Sequence, residues 1–581
     1  MNRLLYLFLL VTGSTALLTA QVTVTGTVID DLGDPMIGAN VIVRGTVIGT
    51  TTDLDGTYEI NVPAGSNVLE FSFTGFATVD EAINDRRVID VQMETDAIGL
   101  SEAVVIGYVP VRRKDLVGSV SSIEGDALQD EGGGTVQSAL RRAAGVVVSQ
   151  NSGTPGAGFN IRVRGATSIS ASNEPLYVVD GVPIISGNFA QGDIGGQGAT
   201  AVADINPADI ESIEVLKDAS TTAIYGSRAA NGVVLITTKS GARGKTQINA
   251  RITRGFNEPI KLVDIVDGQG YNEYVQERYG GPSSIFGFDT LVNSNWQELI
   301  FDRNSISSYG VNFSGGDSKT TFYASLNHDD NNGIVNNTFF KRYNARLKLN
   351  HNITDRVTSA INLSYNNSNN RRVQNDNNIF GAVSAAILLP PAVPVTNEDG
   401  SFGSAFGLEN PVAATTVYEN FLRTNRFIGN GSISYLPLDW LKLTTSLNMD
   451  ALDINETEFL PDALQQSASG TVAEGRTRNI RLVNEYLATV NTSFADNINF
   501  VATLGAIYQN DNIDQLYIVK NNVPTSTPSL SAAAAPATTN GFQTGDVLQS
   551  YIASVNFNIA QNLFITGSFR ADGSSRFINN Q

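Results

Sequence analysis

Along most of the chain apolar and polar side chains alternate one by one, the period of a β-strand with one apolar and one wet face. Tyr551, Ala553, Val555, Phe557 and Ile559 interleave with Ser554, Asn556 and Asn558. After a short break Leu563, Ile565 and Phe569 interleave with Thr566, Ser568 and Arg570. A second predicted hairpin sets Ala345, Leu347, Leu349, Val357, Ile361, Leu363 and Tyr365 against Arg346, Lys348, Asn350, Thr358, Asn362 and Ser364. A soluble sandwich carries the same alternation, so the connections decide. Short turns at 315–318, 352–355, 436–439, 495–497 and 560–562 alternate with long polar segments such as 259–305. Strands of about ten residues joined in that asymmetric way predict a transmembrane barrel over 241–581. One strand entering near Gln247 and two for each of the five turns give about eleven strands, half of the roughly 22 that enclose a folded domain.

Ahead of this region the pattern changes twice. Over 21–97 short apolar runs (VTVTGTVID, NVIVRG, TYEINV, NVLEFSF) are punctuated by Gly, Asp and Pro, which predicts a small β-sandwich. Asp53, Asp55 and Gly56 begin like a calcium loop, but Ala64 stands where that loop needs its glutamate, so a hairpin turn is expected. Over 115–240 helical and strand patterns mix into an α+β domain: TVQSALRRAA is helical, NIRVRG alternates, PLYVVDGVP runs from strand into turn, and ADIESIEVLKD reads as helix then strand. Two phosphate-loop signals fail there. Lys239, not glycine, precedes Gly244, Lys245 and Thr246 by the required spacing, and Gly156 and Gly158 lead into a strand rather than a helix. The linker 98–114 holds a short β-prone run, Glu102, Ala103, Val104, Val105, Ile106, Gly107 and Tyr108, able to join the edge of another protein's sheet.

Composition narrows the chemistry. The 581 residues carry 57 acidic and 38 basic side chains, a net charge of -19 that excludes nucleic acid as a partner. With no cysteine and only two histidines, His328 and His351, neither a metal site nor a cofactor is expected. No nucleophile, base and orienter set suggests an enzyme. Residues 1–20, with Arg3 ahead of an apolar stretch, have the layout of a secretory signal peptide.

Three stretches then carry a resemblance: EAVVIGY (102–108), NIRVRGATSISASNEPLYVVDGVP (160–183) and DIESIEVLKDASTTAIYGSRAANGVVLITTKSG (209–241). They resemble the SusC/RagA family of TonB-linked outer-membrane transporters. The resemblance implies a mainly β chain: signal peptide, a carboxypeptidase-regulatory-like sandwich (21–97), a TonB box (98–114), a plug (115–240), and about half of a 22-stranded barrel (241–581). It further implies TonB-driven import of oligosaccharides or oligopeptides with a SusD-like surface lipoprotein. The protein is then expected in the bacterial outer membrane, its sandwich and TonB box in the periplasm. A receptor that signals without net transport is the alternative. The last residues, 579–581, follow RADGSSRF with no closing aromatic strand, from which a fragment is expected.

Within that frame Glu102 to Tyr108 are the expected TonB-binding residues. Arg164 and Arg228, in the plug motifs, are candidates for holding the plug, with Glu485 on the lumen face as the partner of Arg164. Trp296 in the first long loop is a candidate sugar-stacking residue, and Trp440 beside a short turn a girdle residue. The sequence identifies no substrate-binding residue.

Overall fold

The computed structural model describes residues 22–94, 103–106, 109–112, 119–125, 128 and 135–577, apart from 32, 45, 47, 64–66, 74–75, 85, 151, 170–171, 193–200, 375–377, 468, 495–497 and 561. The expected signal peptide therefore lies outside the described residues.

The first unit is a sandwich of seven strands: β1 (Val22–Ile29), β2 (Asn40–Val43), β3 (Gly49–Thr51), β4 (Thr57–Val62), β5 (Val68–Ser72), β6 (Val79–Ala82) and β7 (Val91–Gln92). One sheet has the order β4-β1-β7 and the other β3-β2-β5-β6. In β4 Tyr58, Ile60 and Val62 are buried while Thr57, Glu59 and Asn61 face water, the two-residue period that assigns a strand one core face. The Tyr58 hydroxyl, buried with its ring, donates to the Ile89 carbonyl at 2.9 Å. Asp53 closes a turn rather than holding calcium. Its carboxylate accepts from the Asp55 and Thr57 amides at 3.0 and 2.8 Å and from the Thr57 hydroxyl at 2.7 Å. Gly56 completes the turn at φ 72°, where a Cβ would meet the Val28 carbonyl at 2.7 Å.

In the linker, β8 (Ala103–Ile106) and β9 (Val109–Arg112) form a two-stranded sheet. The plug follows: β10 (Val120–Glu124), β11 (Val146–Gln150), β12 (Phe159–Val163), β13 (Leu176–Val179), β14 (Val182–Pro183), β15 (Ile210–Leu216) and β16 (Val233–Thr238). Its main sheet runs β10-β15-β16-β13-β14, with β13 and β16 parallel and the other pairs antiparallel. The helix Val136–Leu140 starts at a reciprocal cap between Thr135 and Ser138. Expected helix gives way to strand over 208–218. A single 3-10 turn, Pro207–Asp209, opens straight into β15, because Ile210, Ile213 and Val215 are wholly buried in the plug core. Burial of β-branched side chains outweighs the local helical spacing.

Eleven strands make the remaining sheet: β17 (Gly244–Asn257), β18 (Asn304–Gly316), β19 (Thr320–Asn332), β20 (Phe339–Thr354), β21 (Val357–Arg371), β22 (Glu419–Leu438), β23 (Leu441–Leu460), β24 (Thr471–Ser493), β25 (Ile498–Asn521), β26 (Thr538–Ile559) and β27 (Leu563–Ser574). They pair in chain order, each antiparallel to the next, as in half of a barrel. The count agrees with the pattern, but the lengths do not. Strands run to 24 residues, well past the roughly ten that cross a bilayer. Apolar alternation ends where lipid would end, while the backbone ladder continues, so the pattern registers only the lipid-facing part.

The two faces of this sheet invert those of a soluble protein. Leu347, Leu443, Leu504, Tyr551 and Phe569 are exposed, whereas Asn344, Arg346, Asn448, Asp450 and Ser550 are buried toward the plug. Among the described residues no helix is long and apolar enough to cross a membrane. Replacing Leu504 by Arg should cost the complete receptor about 2–4 kcal/mol in a bilayer and little in detergent. Urea unfolding in vesicles and in micelles checks this, and equal losses in both would contradict a lipid-facing Leu504.

Candidate functional site

Loops of the plug meet the polar face of the sheet, and their side chains and backbone are bound there by charges. At the tip of β13 and β14, Val179 pairs with Val182, leaving Asp180 and Gly181 as a two-residue loop with φ of 48° and 87°. This is the type I′ turn that Asp-Gly favours. It drives the Asp180 carboxylate against β20 and β21. Arg346 Nη2 reaches it at 2.8 Å, Lys348 Nζ at 3.3 Å and Asn362 Nδ2 at 2.6 Å, and the plug's own Thr238 hydroxyl donates at 2.5 Å. Burial pushes Asp180 up, but Lys348, Arg346 and the Thr238 bonds outweigh it and hold the pKa at about 2, below the usual 3.8.

Further along the plug the wall binds backbone. Arg481 Nη1 donates to the Ile184 carbonyl at 2.9 Å and Arg426 Nη2 to the Ile185 carbonyl at 2.8 Å. The Ile185 amide donates to Asp450 at 2.7 Å. The Gln191 and Gly192 amides donate to Glu456 at 2.7 and 2.9 Å. Each wall charge already has a wall partner: Arg426 with Asp450, Arg481 with Asp511, Arg372 with Glu456. The pairs neutralise one another and present their remaining donors and acceptors to the plug. Two plug carboxylates add to the contact. Asp209 accepts from Ser325 at 2.6 Å and Tyr323 at 3.0 Å, and Asp204 from Ser368 at 3.1 Å. Burial raises Asp204 above the usual carboxylate range despite Arg426 and Ser368.

The residues singled out by sequence fall in different places. Arg164, at φ 59°, pairs with Asp218 inside the plug at 2.6 Å rather than with Glu485. Asp218 is held below the usual range by the Ser119 amide and then by Arg164. Glu485 lies buried in the wall and accepts from Ser446 at 2.8 Å. Local geometry decides against the expected pair, because the left-handed backbone at Arg164 turns it toward Asp218. Arg228 does reach the wall, donating to Gln509 at 2.7 Å. Trp296 is no open stacking platform. It is fully buried, its indole N–H donating to the Pro390 carbonyl at 3.1 Å, in a core with Ile300, Ala386, Leu389 and Val393. Trp440, half-exposed, sits at the turn between β22 and β23. Ala103, Val104, Val105 and Ile106 form β8, while Glu102, Gly107 and Tyr108 lie outside the described residues. His328 stacks on Tyr343 with centroids 4.2 Å apart, and His351 bonds Thr320 at 2.8 Å. No group of three or more His, Cys, Asp or Glu side chains among the described residues is placed to hold a metal.

Asp180, Arg426, Asp450 and Arg481 are functional candidates that sequence reasoning passes over. The Asp-Gly step in VVDGVP is a legible turn signal, but its partners lie 166 to 182 residues away.

Comparison with known proteins follows this geometry. Residues 112–233 match the TonB-dependent Receptor Plug Domain and residues 24–105 the CarboxypepD_reg-like domain. The chain is 31% identical to the TonB-dependent receptor SusC of Bacteroides thetaiotaomicron, over 96% of this chain and 57% of that protein. To the TonB-dependent receptor P26 of Formosa agariphila it is 32% identical, over 96% of this chain and 56% of that one. The chain thus spans a little over half the length of these curated relatives. Among solved structures, that of the RagAB peptide transporter superposes with a TM-score of 0.67 at 22% identity, covering 80% of this chain and 56% of that one.

The Asp180 contact carries its own pH signature. Its folded pKa is depressed, so its stabilisation is full above the ordinary carboxylate value and is lost as pH falls from about 4 toward 2. Asp180→Asn leaves Arg346 and Lys348 without their carboxylate and should cost about 3–5 kcal/mol of plug retention at neutral pH. Protease accessibility of the plug in the complete receptor, followed against pH, should show a step in this range that the variant lacks. A step of equal size in both would remove Asp180 as its source.

Proposed function

We propose, on the premise that over the span compared the chain belongs to the SusC/RagA family of TonB-dependent receptors, that the protein carrying it imports large oligomers across the bacterial outer membrane. The cargo class is oligosaccharide or oligopeptide, captured with a SusD-like surface lipoprotein. An outer membrane has no nucleotide supply, so the work is delivered by TonB from the inner membrane. In this reading TonB adds a strand at Glu102 to Tyr108, with main-chain hydrogen bonds supplying the grip. The sandwich and this segment lie in the periplasm, and the outward apolar face of β17 to β27 meets lipid.

The observation that carries the reading is the way the plug is held. Much of its contact with the wall is hydrogen bonding between charged side chains and single backbone groups, at Ile184, Ile185, Gln191 and Gly192, together with the Asp180 cluster, beside apolar packing of Ile185, Phe189 and Ala190 on Leu422, Leu452 and Ile454. Such bonds are worth about 1.5–3 kcal/mol each and reform with water when broken. A plug docked through a continuous apolar surface would expose that surface on leaving, at a cost proportional to its area. A polar dock therefore suits a plug that is displaced and returns.

Val105→Pro removes a backbone donor from the centre of the proposed TonB-binding strand and leaves the plug and barrel sequence unchanged. Uptake of fluorescent maltooligosaccharide and casein-derived oligopeptide mixtures by cells carrying the complete receptor should fall by about tenfold or more for whichever mixture the wild type imports. The level of receptor in the outer membrane should not change. Normal uptake by the variant would reject this segment as the coupling strand.

A further inference from the structure

The outward surface of β20, β21 and β22 is ordered in rows across the three strands. Register places Leu347, Leu363 and Gly429 in one row and Ala345, Tyr365 and Phe427 in the next. Tyr343, Asn367 and Asn425 follow, then Lys341, Asn369 and Arg423, and finally Phe339, Arg371 and Phe421. Apolar rows thus pass through an aromatic row into carboxamides and then cations. Successive rows are roughly 7 Å apart along the strands.

The cations are gathered on two rings. The guanidinium carbons of Arg371 and Arg423 lie 5.7 and 5.6 Å from the centroid of Phe421, and Lys341 Nζ lies 5.2 Å from that of Phe339. The two rings are 6.4 Å apart. Lys341 has a carboxylate partner, Asp330, at 3.2 Å. Arg371 donates to the Tyr418 carbonyl at 3.3 Å, and among the described residues neither it nor Arg423 is ion-paired to a carboxylate. The Glu419 carboxylate offsets part of the Arg371 charge, and two guanidiniums still share one ring in a chain whose net charge is -19. A phosphate beside them would supply a further anionic partner, and a planar guanidinium is matched to phosphate oxygens. Their level fixes the source of the anion. Tyr365 and Tyr343 stand in the two successive rows below the cations, a level that suits the membrane–water boundary, where aromatic side chains concentrate. Asn367 and Asn425, joined by a 2.8 Å hydrogen bond, place carboxamides beside sugar-sized polar space just below.

We propose that Lys341, Arg371 and Arg423 form a binding site for the phosphate of a phosphorylated glycolipid headgroup in the outer leaflet, with Asn367 and Asn425 facing its sugar hydroxyls. The proposal rests on the outer-membrane reading but not on import. The apolar rows hold the acyl chains, the aromatic row sets the depth, and the phosphate bridges Arg371 and Arg423. A lipid fixed there would fasten β20, β21 and β22 to the leaflet on the side opposite Asp180's partners Arg346 and Asn362.

The complete receptor, placed in phosphatidylcholine nanodiscs with and without monophosphoryl lipid A, provides the test. Native mass spectrometry should find lipid A bound to the wild type, and Arg371→Gln with Arg423→Gln should weaken it by roughly tenfold or more. Arg476→Gln with Arg478→Gln removes two arginines from β24, two strands from β22, and should leave binding within about twofold. Millimolar inorganic phosphate should not displace the lipid. Unchanged binding in the first variant, equal loss in the second, or displacement by free phosphate would each overturn the site. Outer-membrane fractionation and uptake are scored separately, so a wild type that imports but binds no lipid A defeats only this site, and one absent from the outer membrane defeats the wider reading.

Discussion

A backbone group left unpaired in hydrocarbon costs several kcal/mol, so a sheet that meets lipid must satisfy its own amides and carbonyls before anything else. The eleven strands do this by pairing in chain order, each with the next. Once the ladder exists, the two-residue period leaves one face for lipid and one for the interior, and the side chains follow. Leucines and aromatics stand outward while Asn344, Arg346, Asn448 and Asp450 stand inward. A wet inner face needs a polar guest, and the plug is shaped to that need. Most of its apolar side chains close on one another around Ile161, Tyr177 and Val234, so that backbone and carboxylates meet the wall beside a smaller apolar contact of Ile185 and Phe189 with Leu422, Leu452 and Ile454.

Charge inside the wall is arranged to make that meeting reversible. Arg426 and Asp450 are both nearly inaccessible, which would be costly for either alone. Paired on neighbouring strands, they belong to the wall whether or not the plug is present, and the plug borrows one donor and one acceptor at Ile185. Asp180 differs, because its carboxylate is the plug's own and its cations are the wall's. Losing the plug there leaves two cations facing solvent or each other.

Local order is legible in the chain wherever neighbours in sequence are neighbours in space. Alternation around Tyr551 and Ala345, together with the short turns, gives the strand count, and the spacing of turn residues gives the sandwich. Strand length is not legible, since ladder bonds beyond the lipid make no demand on side-chain polarity. The segment 208–215, most of it β15, misleads because helical spacing in ADIESIEV is overruled by burial in the plug core. Arg164 is placed correctly in a plug motif but paired wrongly, since Asp218 comes near it only through a left-handed backbone. Trp296 sits in the long segment between β17 and β18, and that segment packs a core of its own around it. The wall's hold on Ile184, Ile185 and Gln191 joins residues more than 200 apart and has no local signature.

The order of those holds along the plug has a mechanical consequence. Asp180 meets β20 and β21, Ile184 and Ile185 meet β22, β23 and β24, and Gln191 and Gly192 meet β23. Thirteen consecutive positions of the plug are thus stitched across the wall in nearly the sequence in which the strands stand. A load entering from one end of such a seam meets its bonds one after another, as in peeling, and never all together, as in shear. The force needed is then set by the strongest single stitch rather than by the sum of the contacts.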